Sequence, residues 1–334
     1  MATLRHVVGE GELTFELVPD WEQLPSGWSH GDVAGVATDS QDRVFVFNRS
    51  EHPVIIYDRD GRFLGSWGEG VFTRPHGITI RDDVVYCADY TDHTVRAFTL
   101  DGKQLWMLGN LHQPSDTGYS PEGRTNLLSI KRGAGPFNRP TRLALAPNGE
   151  MYVSDGYGNA RVHRFAADRT LIQSFGEPGT APGQFNLPHS VWVHTDGRVF
   201  VCDRENDRIQ IFSPSFELLS IWTSVARPGD LWIDGARGHV YVGEMAWNTD
   251  ESHMDGRPFL ESRSAQVSVR DMQGNLLVRW GGDDPCAAGS FASPHGLCVD
   301  SHGDVYVGEV THTALSRAGR WTPACHSLQK FARV

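Results

Sequence analysis

185-FNLPHSVWVHTDGRVFVCDRENDRIQIF-212 holds one copy of a repeated β unit. Pro188-His189 opens an alternating apolar strand, Asp196-Gly197 supplies a turn, Val199-Phe200-Val201-Cys202-Asp203 forms a second strand, and a polar loop follows. The Pro-His element returns at Arg74-Pro75-His76-Gly77 and at Ser293-Pro294-His295-Gly296.

The second strand recurs as Val44-Phe45-Val46-Phe47-Asn48, Val85-Tyr86-Cys87-Ala88-Asp89, Met151-Tyr152-Val153-Ser154-Asp155, Val240-Tyr241-Val242-Gly243-Glu244 and Val305-Tyr306-Val307-Gly308-Glu309. Each copy is β-branched and aromatic and ends in a polar residue. Four short strands in roughly 40–50 residues, repeated, are the signature of a propeller blade. The chain is therefore expected to be all-β, a single six-bladed β-propeller around a central channel. The blades fall at about 31–70, 72–110, 137–183, 185–224, 226–290 and 291–334. The stretches 111–136 and 246–264 lack the pattern and are expected to be loops over one face. Leu13-Thr14-Phe15-Glu16-Leu17-Val18 has strand character and is expected to close the ring as the outer strand of the last blade.

Composition limits the partners. The 334 residues are long for one compact core unless the architecture repeats. A formal net charge of −11 and scattered Lys and Arg argue against nucleic acid or an anionic membrane. No apolar window is long enough for a transmembrane helix, and Met1-Ala2-Thr3-Leu4-Arg5-His6 does not read as a secretory signal. Of the five cysteines, Cys87, Cys202 and Cys298 fall inside strand patterns as small buried thiols. Free thiols without a signal point to a reducing cytoplasm.

The histidines carry the functional signal. The position of His76, His189 and His295 is taken by Ala34, Thr141 and Gly229 in the odd blades, so the imidazoles sit on alternate blades. Duplication of repeats alone does not produce that alternation. Alternate blades of a six-fold ring lie about 120° apart, and first strands line the channel. Three converging imidazoles with an open fourth position are the catalytic zinc pattern, although Fe, Co or Cu accept the same ligands. The loops after the second strands surround the same channel mouth. They carry Arg49, Tyr90, Tyr157 and Arg204, with Glu244 and Glu309 at the strand ends. Arginine suits a substrate carboxylate, and a tyrosine beside a cation suits a general base. For Glu244 and Glu309 the bracing of blades is the stronger expectation. Tyr90 is expected to be a wall residue, and His93 and His312 to lie at the surface or behind the ligands.

The elements Ser154-Asp155-Gly156-Tyr157-x-Asn159-x-Arg161, Pro188-His189-Ser190 and Asp203-Arg204-Glu205-Asn206-x-Arg208-Ile209-Gln210 resemble the NHL-repeat lyase domain of peptidylglycine α-amidating enzymes, the peptidyl-α-hydroxyglycine α-amidating lyases. The resemblance is densest in blades 3 and 4 and extends more weakly around the ring. It implies a six-bladed NHL propeller with one zinc on His76, His189 and His295. It also implies Tyr157 as the catalytic tyrosine, Arg204 as a substrate-binding arginine, and Arg49 as the second active-site arginine on a looser match. The implied reaction cleaves the C–N bond of a carbinolamide, a short peptidyl or small substrate with a carboxylate, to an amide and glyoxylate. Departures are specific. The family's Asp after the third histidine, tied to a structural calcium (Ca2+), is Gly296 here, which puts calcium in doubt. A Met two residues before that histidine is Ser293, and the Cys beside the catalytic tyrosine is Gly158. Two other classes stay open: a zinc hydrolase or hydratase using metal-bound water, and a non-catalytic NHL propeller that binds a ligand or protein on one face.

Overall fold

The computed structural model describes residues 5–123 and 125–334. The expectation for the first four residues, and for Arg124 in the 111–136 loop, falls outside the described residues. Six antiparallel sheets form a ring: a six-bladed β-propeller. Blade 1 is Val33–Thr38, Val44–Asn48, Val54–Tyr57 and Phe63–Trp67. Blades 2, 3, 4 and 5 begin with the strands Pro75–Arg81, Pro140–Leu145, Pro188–Val193 and Pro228–Asp234. Blade 6 begins with Pro294–Val299 and continues through Val305–Glu309 and Leu328–Arg333. Leu13–Val18 pairs antiparallel with Leu328–Arg333 as the fourth strand of that blade, and Val7–Glu10 adds a fifth.

Alternation within the strands builds the core. Every second strand carries an aromatic residue three positions before its polar end, and Phe45, Tyr86, Tyr152, Phe200, Tyr241 and Tyr306 are all buried. Burying such a side chain contributes about 1.5–3 kcal/mol, and the repeat distributes this around the ring. Outer strands such as Leu171–Phe175 are exposed or half-buried, while second strands such as Met151–Asp155 and Val199–Asp203 are buried throughout. A second repeated device ties five of the six sheets to the loop that enters each. The carboxylates ending the second strands accept backbone N–H bonds from that loop: Asp89 from Thr73 and Arg74, Asp155 from Asn138, Asp203 from Asn186, Glu244 from Ala226, and Glu309 from Ala292.

Cys87, Cys202 and Cys298 are buried free thiols, whereas Cys286 and Cys325 form a disulfide. The sequence reading names the first three as thiols and does not single out Cys286 or Cys325. The pair lies in two irregular segments separated by 39 residues, so strand patterns give no sign of it. Disulfides persist in oxidising surroundings, so thiol content does not argue for a reducing compartment. Among the described residues, no helix is long and apolar enough to cross a membrane.

Candidate metal centre and active-site mouth

Each first strand carries a register shift just after its opening residue, between Pro75 and Ile78, Pro188 and Ser190, and Pro294 and Gly296 in the even blades. A bulge re-aims the side chain it contains, and here it turns His76, His189 and His295 into the channel. Their ring centroids form a near-equilateral triangle with sides of 4.7, 4.5 and 4.7 Å. One nitrogen from each lies within 4.8 Å of the others.

The odd blades explain the alternation. His76 Nδ1 donates to the Thr141 carbonyl at 2.8 Å, His189 Nδ1 to that of Gly229, and His295 Nδ1 to that of Ala34 at 2.8 Å. Thr141, Gly229 and Ala34 are the three non-histidine equivalents, so each imidazole is oriented by the next blade. A carbonyl only accepts, so Nδ1 carries the proton and Nε2 is left with its lone pair. The close approach requires a small residue after each ligand: a Cβ at Gly77 would lie 2.3 Å from the Thr141 oxygen.

These residues fit a metal. Burial, then His295 and Arg49, holds His76 well below the ordinary histidine value. Burial, then Arg204 and the other two imidazoles, does the same to His189. Burial, then Arg49, pulls His295 down to about 3. All three are neutral ligands at neutral pH, and His76 Nε2 is a buried acceptor with no hydrogen-bond partner. Three neutral imidazoles tethered through Nδ1 are a donor set suited to zinc and to several other transition metals.

Tyr157 lies over this centre. Its hydroxyl is 3.1 Å from His189 Nε2 and accepts a hydrogen bond from Arg204 Nη1 at 3.0 Å. Arg204 is buried and held by Glu205, its Nε donating at 2.8 Å. Glu205 stays ionised. Burial opposes its charge, but Arg227, Arg204, His253 and the Met254 amide outweigh that and hold it well below the usual carboxylate range. Arg49 stands on the far side of the triad, bonded to Asp32 at 3.1 Å and to the Pro75 carbonyl at 3.2 Å.

Both irregular segments reach the mouth. The 246–264 stretch folds back on a Trp247–Phe259 stack and presents His253 and Met254. His253 Nδ1 meets Glu205 at 3.2 Å, and the Met254 sulfur accepts from Arg204 Nη2 at 3.0 Å. From the 111–136 stretch, Leu127, Ile130 and Tyr119 pack with Leu187, Tyr157 and Met254. Met254 and Tyr119 were not marked by the sequence, because neither belongs to a repeat position.

The other candidates separate cleanly. Tyr90 stacks on Tyr157 with centroids 5.1 Å apart and meets His76 edge-on. Glu244 bonds to Ala226, Gln266, Ser268 and Arg270, and Glu309 to Ala292, Ser293 and His326, so both brace their blades. His93 accepts from the Arg139 amide at 3.1 Å, and exposed His312 faces Trp321. The position of Gly296 does not fit a calcium ligand: a Cβ there would lie 2.5 Å from the Gly35 Cα. Below the triad, buried Arg142 already pairs with Asp230, which also accepts from Ser190 and the Leu297 amide. A guanidinium thus supplies the positive charge at the channel floor.

A family model described as NHL repeat matches residues 137–165, 185–212 and 291–314. The matched residues fall in blades 3, 4 and 6. The chain is 31% identical to human "NHL repeat-containing protein 3" over 227 residues, 64% of the chain and 61% of that relative. It is 27% identical to "Peptidyl-alpha-hydroxyglycine alpha-amidating lyase 1" of Drosophila melanogaster, covering 75% of the chain and 45% of that protein. The chain thus spans less than two thirds of the length of either relative. A gluconolactonase of Xanthomonas campestris shares the fold with a TM-score of 0.61 at 12% identity, covering 99% of this chain and 95% of the other.

Proposed function

We propose that this NHL propeller is a metal-dependent lyase that cleaves the C–N bond of a small N-acyl-α-hydroxyglycine-type carbinolamide, giving an amide and glyoxylate. The observation that carries the reading is the Tyr157 hydroxyl bridging Arg204 and His189 directly over three inward-facing imidazoles. The named activity of the Drosophila relative supports the same class.

His76, His189 and His295 would hold the metal, taken here as zinc. When bound, it supplies Lewis acidity toward the substrate oxygens. The residues of the chain do the remainder. Arg204 keeps two of its five N–H groups free for a substrate carboxylate, and Arg49 faces it across the triad. With the substrate fixed, Tyr157 in its phenolate form accepts the α-hydroxyl proton. The oxygen electron pair forms the new carbonyl as the C–N pair leaves to the amide nitrogen. The same proton, returned by Tyr157 to that nitrogen, balances the reaction. Arg204 stabilises charge on the Tyr157 oxygen through its direct hydrogen bond, and the Leu127, Ile130 and Leu187 cluster keeps water from this side.

The test is elemental analysis of protein purified without added metal, followed by glyoxylate release from N-benzoyl-α-hydroxyglycine. Near one zinc per chain with glyoxylate release supports the reading. A bound metal with hydrolysis or hydration in place of glyoxylate release would move it to a metal hydrolase or hydratase. No metal and no uptake would leave a binding propeller, the reading that the similarity to NHL repeat-containing protein 3 favours.

A further inference from the structure

Arg74 and Arg139 stand apart from the other arginines. Among the described residues, they are the two arginines not exposed at the surface whose side chains donate no hydrogen bond and form no ion pair. Each has a buried Nε without a partner. The chain has 41 acidic against 30 basic side chains, so carboxylates are not scarce. None has been placed here. What the two guanidinium groups share is a ring: Arg74 lies 5.7 Å and Arg139 5.5 Å from the centre of Tyr90, and Arg139 also lies 5.0 Å from Tyr119. Tyr90 in turn touches Tyr157 and His76. Arg139 is also held in the left-handed region, at φ 66°, where a side chain is strained unless its surroundings fix it. Aromatic faces orient a guanidinium but leave its N–H edge unused, and a half-buried cation without an acceptor is costly.

We propose that Arg74 and Arg139 form a second anion-binding position at the mouth, on the opposite side of Tyr157 from Arg204. The substrate class is then a small molecule with two anionic groups, such as a dicarboxylate. One carboxylate goes to Arg204 and Arg49, and the other to Arg74 and Arg139. This deepens the function proposed above and rests on it for the first carboxylate.

The experiment is calorimetric titration of the purified protein with L-malate and with L-lactate, which share a 2-hydroxycarboxylate end and differ by the second carboxylate. Malate is expected to bind at least about ten-fold more tightly, the gain from charge-assisted bonds to one further anion. In the double variant R74Q/R139Q that advantage disappears and lactate binding is unchanged. R74K/R139K, which keeps the charge without the fork, retains part of it. Equal affinities in the unaltered protein, no malate binding, or an advantage that survives in R74Q/R139Q would each overturn the proposal. The same titrations on chelator-treated protein separate the two readings. A malate preference that follows Arg74 and Arg139 in a protein that takes up no metal upholds the anion position while the lyase reading fails.

Discussion

The Arg204 guanidinium donates to the Tyr157 hydroxyl at 3.0 Å while its Nε is held by Glu205 at 2.8 Å. The phenol oxygen therefore sits at the end of an ionic relay that starts in the 246–264 segment, where His253 also contacts Glu205. Substituting Tyr157→Phe removes the oxygen and keeps the ring stacked on Tyr90. Turnover of a carbinolamide should fall by about 10²–10⁴-fold, the usual worth of a positioned acid–base group. Metal content should not change. Equal loss of metal and activity would make Tyr157 a structural residue.

His76→Ala deletes one ligand and leaves the Thr141 carbonyl without its donor. Metal content measured by elemental analysis should drop by at least about ten-fold, by analogy with the loss caused by disturbing ligand orientation alone. Chelator treatment of the unaltered protein should abolish activity, and added zinc should restore it.

Glu22 controls the alkaline side of stability. Burial pushes its carboxyl up to about 7, against the smaller pull of His326. A folded value above the unfolded one contributes stability below about pH 4.5 that is lost as pH rises through 7. Glu22→Gln should therefore raise stability at pH 8 by about 1–2 kcal/mol and have no effect near pH 4. Chemical denaturation at the two pH values checks this. His30 acts in the opposite direction. Burial lowers it to about 4, so its contribution is present above pH 6.5 and lost as pH falls through 4.

Arg142→Ala would leave Asp230 buried without its cation. The expected destabilisation is about 3–5 kcal/mol, read from urea unfolding. Calcium added to the unaltered protein should not shift the unfolding midpoint. A clear upward shift would show that the channel floor accepts the ion despite Gly296.

The Cys286–Cys325 disulfide ties the connection that enters blade 6 to the segment before its third strand, across a sequence separation of 39. Reduction should lower stability by about 2–4 kcal/mol, and a C286S/C325S variant should show the same loss and no further response to reductant.

The ring was legible because its strands repeat. The aromatic residue and the polar strand end, a carboxylate in five of the six copies, recur in register, and the Pro-His element recurs on alternate copies. The convergence of His76, His189 and His295 follows from that register. What escaped lies outside it. Arg74 directly precedes a recognised Pro-His pair, yet its orientation depends on Tyr90, one strand away. Met254 arrives at Arg204 from a segment whose path no periodicity describes. The disulfide joins two such segments.

The Nδ1 bonds from the even blades to the odd ones divide the ring into two interleaved trios, one presenting imidazoles and one presenting peptide oxygens. Because that division is made by backbone carbonyls, no side-chain substitution at Ala34 or Thr141 removes an acceptor. The orientation of the imidazole triad therefore does not depend on the side-chain identity of the residues that accept its Nδ1 protons. The loops that carry Tyr90, Arg139 and Met254 lie outside this set of bonds, so a change in them leaves the Nδ1 tethers in place.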